Sequence, residues 1–452
     1  MMTQPGCPKC WIGVANRDRF CENCGRSLVA NNTHIISHTE PNPAPNAYGV
    51  KRKLSTRAIA IIAIVSACLV IGLAVGVFFL FGSSNVSNEP ENTLFQNGLL
   101  AVRRDGRWGF IDVTGDFVIN PQFDHAYNFS ENGLAVVRSG DRWGFIDAEG
   151  KYTINPQFDD AKQFASNGLA PVLSGERWGY IDINGDFAIN PQFDNAWSFS
   201  RNGIARVQVG DRWGFIDIDG NFIVNPQFDD AGGFGENGLA RVQVDGKWGF
   251  INQDGSFAVT PQYSDTHNFT DNGLVAVQLG ARWGFIDEEG TFVINPQFDN
   301  VGSFSGNGLA PARSGNRWGY IDIRGDFVIN PQFDNAWMFG DDNLAAVRLG
   351  ENWGFIDAEG TFVVNPQYSD IGAFRNGFAY FVDNDRIGYL NINGEVAIPA
   401  QFESFFTHIV WAGSFFDDGF AIVRAGGKYG IIDQSGRYVV NPQFDGIYGF
   451  FW

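Results

Sequence analysis

Residues 133–167 read GLAVVRSGDRWGFIDAEGKYTINPQFDDAKQFASN, and close copies of this stretch fill most of the chain. The copies recur at a strict spacing of 35 residues, with no insertion or deletion, so the repeat is the unit of folding. Many equivalent surfaces then carry the function, which argues against an enzyme, and we assign no catalytic residue. The Trp-Gly pair recurs every 35 residues, at Trp108, Trp143, Trp178, Trp213, Trp248, Trp283, Trp318 and Trp353.

The repeat predicts a β-meander. Three apolar runs of about five residues, LAVVR, RWGFID and KYTIN, are separated by short glycine-containing turns, and no helical period is present. Asp147 and Gly150 form a D-x-x-G turn, in which the carboxylate binds backbone N–H groups and glycine adopts positive φ. We expect Pro156 to end the third run because it has no N–H. Gly144 leaves a gap that we expect a neighbouring ring to fill.

Stacking of repeats places the tryptophans in a column of indoles, with Trp143 near Trp108 and Trp178. We interpret this column as structural core, and the competing interpretation is a carbohydrate-binding stripe. Asp217 and Asp219 resemble the start of a calcium loop, but the rest of an EF-hand ligand set is missing. Turn formation explains these aspartates better, and the ligand-binding residues stay unknown at this stage.

RWGFID with its following glycine, and NPQFD downstream, resemble the WG repeat family, also known in lysine-containing KWG forms. The resemblance covers nearly all of 94–452 and implies a β-rich repeat domain with no common activity. Ile387-Gly388 and Tyr429-Gly430 replace Trp-Gly in two late units, and residues 403–418 contain extra residues, so that ten units are present.

Ten units predict an all-β, open solenoid-like array, with a closed β-propeller as the alternative. Propellers typically have four to eight blades, and atypical final units suit an open end that must be capped.

Charge divides the chain. Residues 94–452 contain 45 acidic and 23 basic residues, a net of −22, whereas residues 1–57 have a net of +5. Nucleic acid requires a basic footprint, so the repeat domain is not expected to bind it.

Residues 58–82 predict one transmembrane helix, because Ala58 to Phe81 contains no charged residue. The competing signal peptide fits less well, since 57 residues precede the run. Basic residues at 51–57 place the N-terminus in the cytoplasm and the repeats outside, in a single-pass membrane protein. Gly72 and Gly76 allow a helix-mediated homodimer. Linkers are expected at 29–57, with a basic end, and at 83–93.

The first 28 residues predict a zinc ribbon. Four cysteines with C-x2-C-x10-C-x2-C spacing can surround Zn²⁺ tetrahedrally and fold a segment too short for its own core. Disulfides are the alternative, but they are rare in the reducing compartment that the topology implies. We therefore expect a structural zinc ion bound by Cys7, Cys10, Cys21 and Cys24.

These features predict a membrane-anchored binding or scaffold protein whose repeats engage a surface polymer (a glycan) or a protein outside the cell. The alternative is a transmembrane sensor that relays ligand binding to the ribbon. A hydrolase is the least favoured class, because His125, His267 and His408 occupy different repeat positions or the irregular part, without a nucleophile motif.

Overall fold

The computed structural model describes residues 93–404 and 413–448. Residues 89–452 form one compact unit. Among the described residues, none belongs to a helix long and apolar enough to cross a bilayer. The zinc ribbon at 1–28, the linker at 29–57, the transmembrane helix at 58–82 and nearly all of the linker at 83–93 lie outside them.

The described residues form 39 strands in ten antiparallel sheets, which we call blades 1 to 10. Blade 1 combines strands from the two ends of the domain: β1 (Leu100–Arg104), β2 (Arg107–Ile111), β3 (Phe117–Phe123) and β39 (Gly446–Ile447).

Blades 2 to 5 each use four consecutive strands. Their bounds are β4 (His125–Phe129), β5 (Ala135–Ser139), β6 (Arg142–Ile146) and β7 (Tyr152–Phe158); β8 (Asp160–Ala161), β9 (Ala170–Ser174), β10 (Arg177–Ile181) and β11 (Phe187–Phe193); β12 (Asn195–Ala196), β13 (Ala205–Val209), β14 (Arg212–Ile216) and β15 (Phe222–Phe228); β16 (Asp230–Phe234), β17 (Ala240–Val244), β18 (Lys247–Ile251) and β19 (Phe257–Tyr263).

Blades 6 to 9 repeat the arrangement, and blade 10 has three described strands. Their bounds are β20 (Asp265–Thr266), β21 (Val275–Leu279), β22 (Arg282–Ile286) and β23 (Phe292–Phe298); β24 (Asn300–Val301), β25 (Ala310–Ser314), β26 (Arg317–Ile321) and β27 (Phe327–Phe333); β28 (Asn335–Ala336), β29 (Ala345–Leu349), β30 (Asn352–Ile356) and β31 (Phe362–Tyr368); β32 (Asp370–Ile371), β33 (Phe378–Asp383), β34 (Arg386–Asn391) and β35 (Val396–Glu403); β36 (Phe420–Ala425), β37 (Lys428–Asp433) and β38 (Tyr438–Phe444).

Strands that are consecutive in the chain are paired within each blade, and β39 is added beside β1 in blade 1, so the predicted β-meander is confirmed. In blade 2, Arg138 of the second strand pairs with Trp143 of the third, which pairs with Phe158 of the fourth. One residue separates the fourth strand from the short first strand of the next blade. The chain therefore passes between neighbouring sheets almost without a loop.

The D-x-x-G turns form as predicted. Gly150 has φ of 79° and donates its N–H to the Asp147 carbonyl at 3.0 Å, while the Asp147 carboxylate accepts the Lys151 N–H at 2.8 Å. The Asp217 carboxylate likewise accepts the N–H groups of Asp219 and Asn221, at 3.0 and 2.8 Å. These aspartates shape turns, as the sequence indicates.

Two details of the repeat differ from expectation. Pro156 does not end its strand, because β7 continues to Phe158 and the proline lies on a sheet edge, where no ladder N–H is needed. Gly144 faces backbone instead of an aromatic ring, since a Cβ there would lie 2.6 Å from the Ile154 carbonyl oxygen. The register shift between β6 and β7 brings the two backbones together at this point.

Neighbouring blades touch through a repeated glycine contact. Gly150 of blade 2 packs so tightly on Ile119 of blade 1 that a Cβ would lie 3.0 Å from the Ile119 side chain. The same contact occurs ten times, and the tenth joins Gly115 of blade 1 to Val440 of blade 10. Ten identical contacts that return to the first blade describe a closed ring.

Strand pairing confirms the closure. Val102 and Arg103 of β1 pair with Ile447 and Gly446 of β39, which occupies the first-strand position of blade 1. The fold is a ten-bladed β-propeller, so the expected open solenoid is wrong and the alternative is right. The last repeat supplies a strand to the first blade, so it does not cap an open end.

Most neighbouring blades are also linked by an aspartate that binds both of them, which we call the aspartate clamp. Asp124, between blades 1 and 2, accepts a hydrogen bond from the Arg107 guanidinium of blade 1 at 2.5 Å and another from the Gly140 N–H of blade 2 at 2.7 Å. Asp445 closes the ring in the same way, since it contacts Lys428 and accepts the Asp105 N–H at 2.7 Å.

Candidate functional site

The repeat tryptophans lie at the blade cores. Five have no more than 9% of their surface exposed, and Trp213, Trp248 and Trp318 are half-buried. Each packs on aliphatic and aromatic side chains of its own and the following blade, as Trp143 does on Val172 and Ile181. The five most buried are Trp108, Trp143, Trp178, Trp283 and Trp353.

The indoles are not stacked directly on one another as a column. His125, on the first strand of blade 2, lies between Trp108 and Trp143, with ring centroids 5.5 Å from each. At this seam a side chain of the first strand lies between consecutive tryptophans.

The repeats differ most at one position of this seam, immediately after the buried residue of the first strand. We call it the seam position. Aromatic, cationic and glycine residues alternate there without a period. Along the described chain the residues are Tyr127, Lys162, Trp197, Gly232, His267, Gly302, Trp337, Gly372 and Tyr448.

Two cations flank one indole between blades 3 and 4. Nζ of Lys162 lies 4.4 Å from the centroid of the Trp197 ring, and Cζ of Arg206 lies at the same distance. Trp197 keeps 46% of its surface exposed. Cation–π attraction holds this stack together and leaves part of the indole available to a ligand.

Three consecutive seams are bridged by cations. Lys162 donates to the Ala196 carbonyl at 2.7 Å, Arg206 donates to the Ala231 carbonyl, and Arg241 donates to the Thr266 carbonyl at 3.2 Å. Burial lowers the pKa of Lys162 and of Arg206, although Asp160 and Asp230 respectively oppose the shift. A net-acidic domain therefore has a local run of partly desolvated positive charge.

Glycine at the seam position makes room for large neighbours. A Cβ at Gly232 would lie 2.8 Å from the Arg241 side chain, so glycine in blade 5 lets this arginine lie against its own sheet. Gly372 does the same for Tyr380 in blade 9. In these two blades the residue at the seam position and the residue on the second strand are in contact.

A cleft of about 560 Å³ opens beyond Arg241. Its walls come from blades 5 to 8 and include Arg241, His267, Ser303, Met338 and Asp341. Oγ of Ser303 lies 3.5 Å from Nδ1 of His267. Burial lowers the pKa of His267, and Arg241 adds to the shift while Asp265 opposes it. The imidazole is therefore neutral near pH 7.

The remaining predicted residues divide between the described and undescribed parts. Cys7, Cys10, Cys21, Cys24 and His408 lie outside the described residues. Within the described ranges, no group of three or more His, Cys, Asp or Glu residues is arranged to hold a metal ion. Sequence reasoning missed the seam residues, although their departure from the 35-residue pattern was the available signal.

A family model described as WG containing repeat matches ten consecutive segments of the chain. They are 108–143, 143–177, 178–213, 213–248, 248–282, 283–318, 318–353, 353–386, 387–429 and 429–451. No curated protein matches the chain in sequence.

Several solved structures are similar at low identity. A eukaryotic initiation factor is 10% identical, with 69% of this chain and 98% of that one covered and a TM-score of 0.45. AztD from Citrobacter koseri is 12% identical, with 68% and 95% covered and a TM-score of 0.31. Sqt1 from Saccharomyces cerevisiae is 10% identical, with 60% and 92% covered and a TM-score of 0.30.

Proposed function

Because the chain belongs to the WG containing repeat family, we propose that its propeller is a binding or scaffold domain, held at a membrane by residues 58–82. Its partner is a polymer or a protein on the outer side. The family itself has no common activity, so the proposal depends on the seams between blades.

The asymmetry of the seam positions carries this proposal. The ten blades have similar core residues, but their seams differ. The seams of blades 3 to 6 contain Lys162, Trp197, Arg206 and Arg241, and the cleft lies beside them, between blades 5 and 8. Packing alone does not require an exposed indole between two cations. Partly exposed aromatic and arginine side chains are the residue types that dominate binding energy in interfaces.

The arrangement supports binding more than catalysis. His267 lies near Ser303, and the residues that line the cleft are spread over several blades. Binding along several blades gains strength from many weak contacts without a reacting group.

A pull-down with residues 89–452, which form a compact closed unit, tests the proposal. The bait is incubated with cell-envelope polymers on a glycan array and, separately, with envelope proteins. We expect retention that is lost when Trp197→Ala and Arg241→Gln are combined and is kept by Ile323→Ala, a change of an exposed turn residue. Absence of any retained polymer or protein overturns the proposal.

For the N-terminal segment we propose that Zn²⁺ bound by Cys7, Cys10, Cys21 and Cys24 folds residues 1–28 on the cytoplasmic side. Thiolate ligands at these spacings form closed, structural sites. Elemental analysis of the purified full-length chain should give one zinc per chain, lost when Cys21 and Cys24 are changed to Ser and kept when Cys68 is. A zinc content that is independent of Cys21 and Cys24 contradicts this assignment.

A further inference from the structure

Beside the cleft that blades 5 to 8 line, blade 7 has smaller residues than blade 8 at two repeat positions. Gly302 and Ser303 occupy the positions of Trp337 and Met338 in the next blade. Ser303, Ser305 and Gly306 line the cleft on the side of blade 7. Its volume of about 560 Å³ lies within the range of ligand sites, roughly 300–1,000 Å³.

One wall of the cleft holds an unpaired cation. Arg241 is half-buried, and among the described residues no carboxylate lies within 4.0 Å of its guanidinium. Its Nη1 donates to the Thr266 carbonyl, and its Cζ lies 5.2 Å from the centroid of the Trp248 ring. A partly desolvated, unpaired cation is costly and gains most from an anionic ligand group.

The other walls match hydroxyl groups and an apolar ring face. Ser303 and Asn268 line the cleft. Asp341 is exposed and belongs to blade 8, the last of the four blades that line the cleft, whereas Arg241 belongs to blade 5, the first of them. Asp341 can accept hydrogen bonds from hydroxyl groups of a ligand. Met338, with 52% of its surface exposed, offers a flexible apolar contact.

We propose that this cleft binds a carboxylated saccharide, with the sugar carboxylate at Arg241 and sugar hydroxyls at Ser303 and Asp341. This inference rests on the proposed binding function. The single cation fits one carboxylate, whereas a cluster of phosphate or sulfate groups would call for several cations in one place. An acidic peptide has the anion but lacks the adjacent hydroxyl groups that the serine and aspartate would bind.

Calorimetry on residues 89–452 tests the inference, with trigalacturonate as the probe. Neutral maltotriose and tri-glutamate are the comparison ligands. Ser303→Met blocks the cleft with the residue that blade 8 carries at this position, and Arg241→Gln removes the charge. Ser198→Met, at the same repeat position in blade 4, and Arg201→Gln, an exposed arginine nearby, are the matched controls.

We expect trigalacturonate to bind, maltotriose to bind at least tenfold more weakly, and each cleft variant to weaken trigalacturonate at least tenfold. Both control variants should bind as the unaltered domain does. A thermal unfolding curve of each variant confirms that the ring is intact.

Three results overturn the inference. In the first, tri-glutamate binds as tightly as trigalacturonate. In the second, trigalacturonate still binds both cleft variants as it binds the unaltered domain. In the third, trigalacturonate does not bind at all. If trigalacturonate fails while the pull-down retains a partner, the saccharide assignment is wrong and the proposed function stands. If both experiments fail, both are wrong.

Discussion

Asp124 shows how one side chain joins two blades. Each carboxylate oxygen binds a different blade, through Arg107 on one side and the Gly140 N–H on the other. The Gly140 hydrogen bond and then Arg107 lower the pKa of Asp124, although partial burial opposes them. At the ring closure, the Lys428 ammonium chiefly lowers the pKa of Asp445.

Acid should therefore loosen the ring. A carboxyl whose pKa is lower in the folded state stabilises that state at pH values above its unfolded pKa, roughly 3.9 for aspartate, and this stabilisation is lost as pH falls through the folded-state pKa. We expect the melting temperature of residues 89–452 to fall steeply below about pH 4. Thermal unfolding followed by circular dichroism between neutral and acid pH measures this.

Asp124→Asn should lower the melting temperature at pH 7 and reduce its dependence on pH. The control is Asp211→Asn, at an exposed hairpin turn. If Asp124→Asn and Asp211→Asn behave alike at every pH, the clamp does not contribute to stability.

Asn128 is the buried polar residue at the closure. Its Oδ1 accepts the Ala101 N–H at 2.9 Å, and its Nδ2 donates to the Tyr448 carbonyl at 3.3 Å, so it links blade 2 to both ends of the propeller domain. Only 3% of its surface is exposed. Its removal leaves the Ala101 N–H unpaired in a buried site.

Asn128→Ala should therefore lower the free energy of unfolding by about 1–3 kcal/mol. Urea unfolding of residues 89–452 gives this value. Ser198→Ala, at the exposed equivalent position in blade 4, should change it by less than about 0.5 kcal/mol. Equal effects of the two substitutions would show that the side chain of Asn128 does not stabilise the ring closure.

At the scale of the element, the close backbone contact at Gly144 fixes the register shift between β6 and β7. An added Cβ would meet the carbonyl of Ile154 and the nitrogen of Pro156, neither of which is a flexible side-chain end. Gly144→Ala should cost about 1–3 kcal/mol of stability, as overpacking does.

Gly233→Ala is the matched control, because a Cβ at Gly233 meets nothing within 4 Å and its φ is not positive. Chemical unfolding of both variants compares them. A Gly144→Ala variant as stable as Gly233→Ala would show that β7 can move away from β6.

Strands and turns were predictable because their signals are local. The spacing of LAVVR, RWGFID and KYTIN, and the pairs such as Asp147 and Gly150, determine hairpins within a few residues. The roles of Gly144 and Pro156 were not, because they depend on a register shift between two strands. The clamp of Asp124 joins residues of two blades, so no single repeat contains it.

At the scale of the whole molecule, the sequence reveals the repeat but not the rotation from one blade to the next. That rotation follows from contacts between blades, such as the contact of Gly150 with Ile119. The residues that make these contacts could equally occur in an open stack, so the sequence alone does not show the rotation. Closure needs the ends to meet, and Gly446 and Ile447 are 343 residues or more from the β1 residues with which they pair. The candidate site depends on the same rotation, because it extends over consecutive seams.

Ten repeats close into a ring through the pairing of β1 with β39. Residues 89–452 contain no cysteine, so two can be introduced, as Arg103→Cys and Gly446→Cys. A Cβ at Gly446 would lie 3.6 Å from the Arg103 Cβ, which suits a disulfide, with its Cβ separation of about 3.5–4.5 Å. Because the ring is closed, we expect mild oxidation to form an intramolecular disulfide in the monomer, which mass spectrometry and a non-reducing gel detect. Free thiols, or disulfides only between chains, would contradict it.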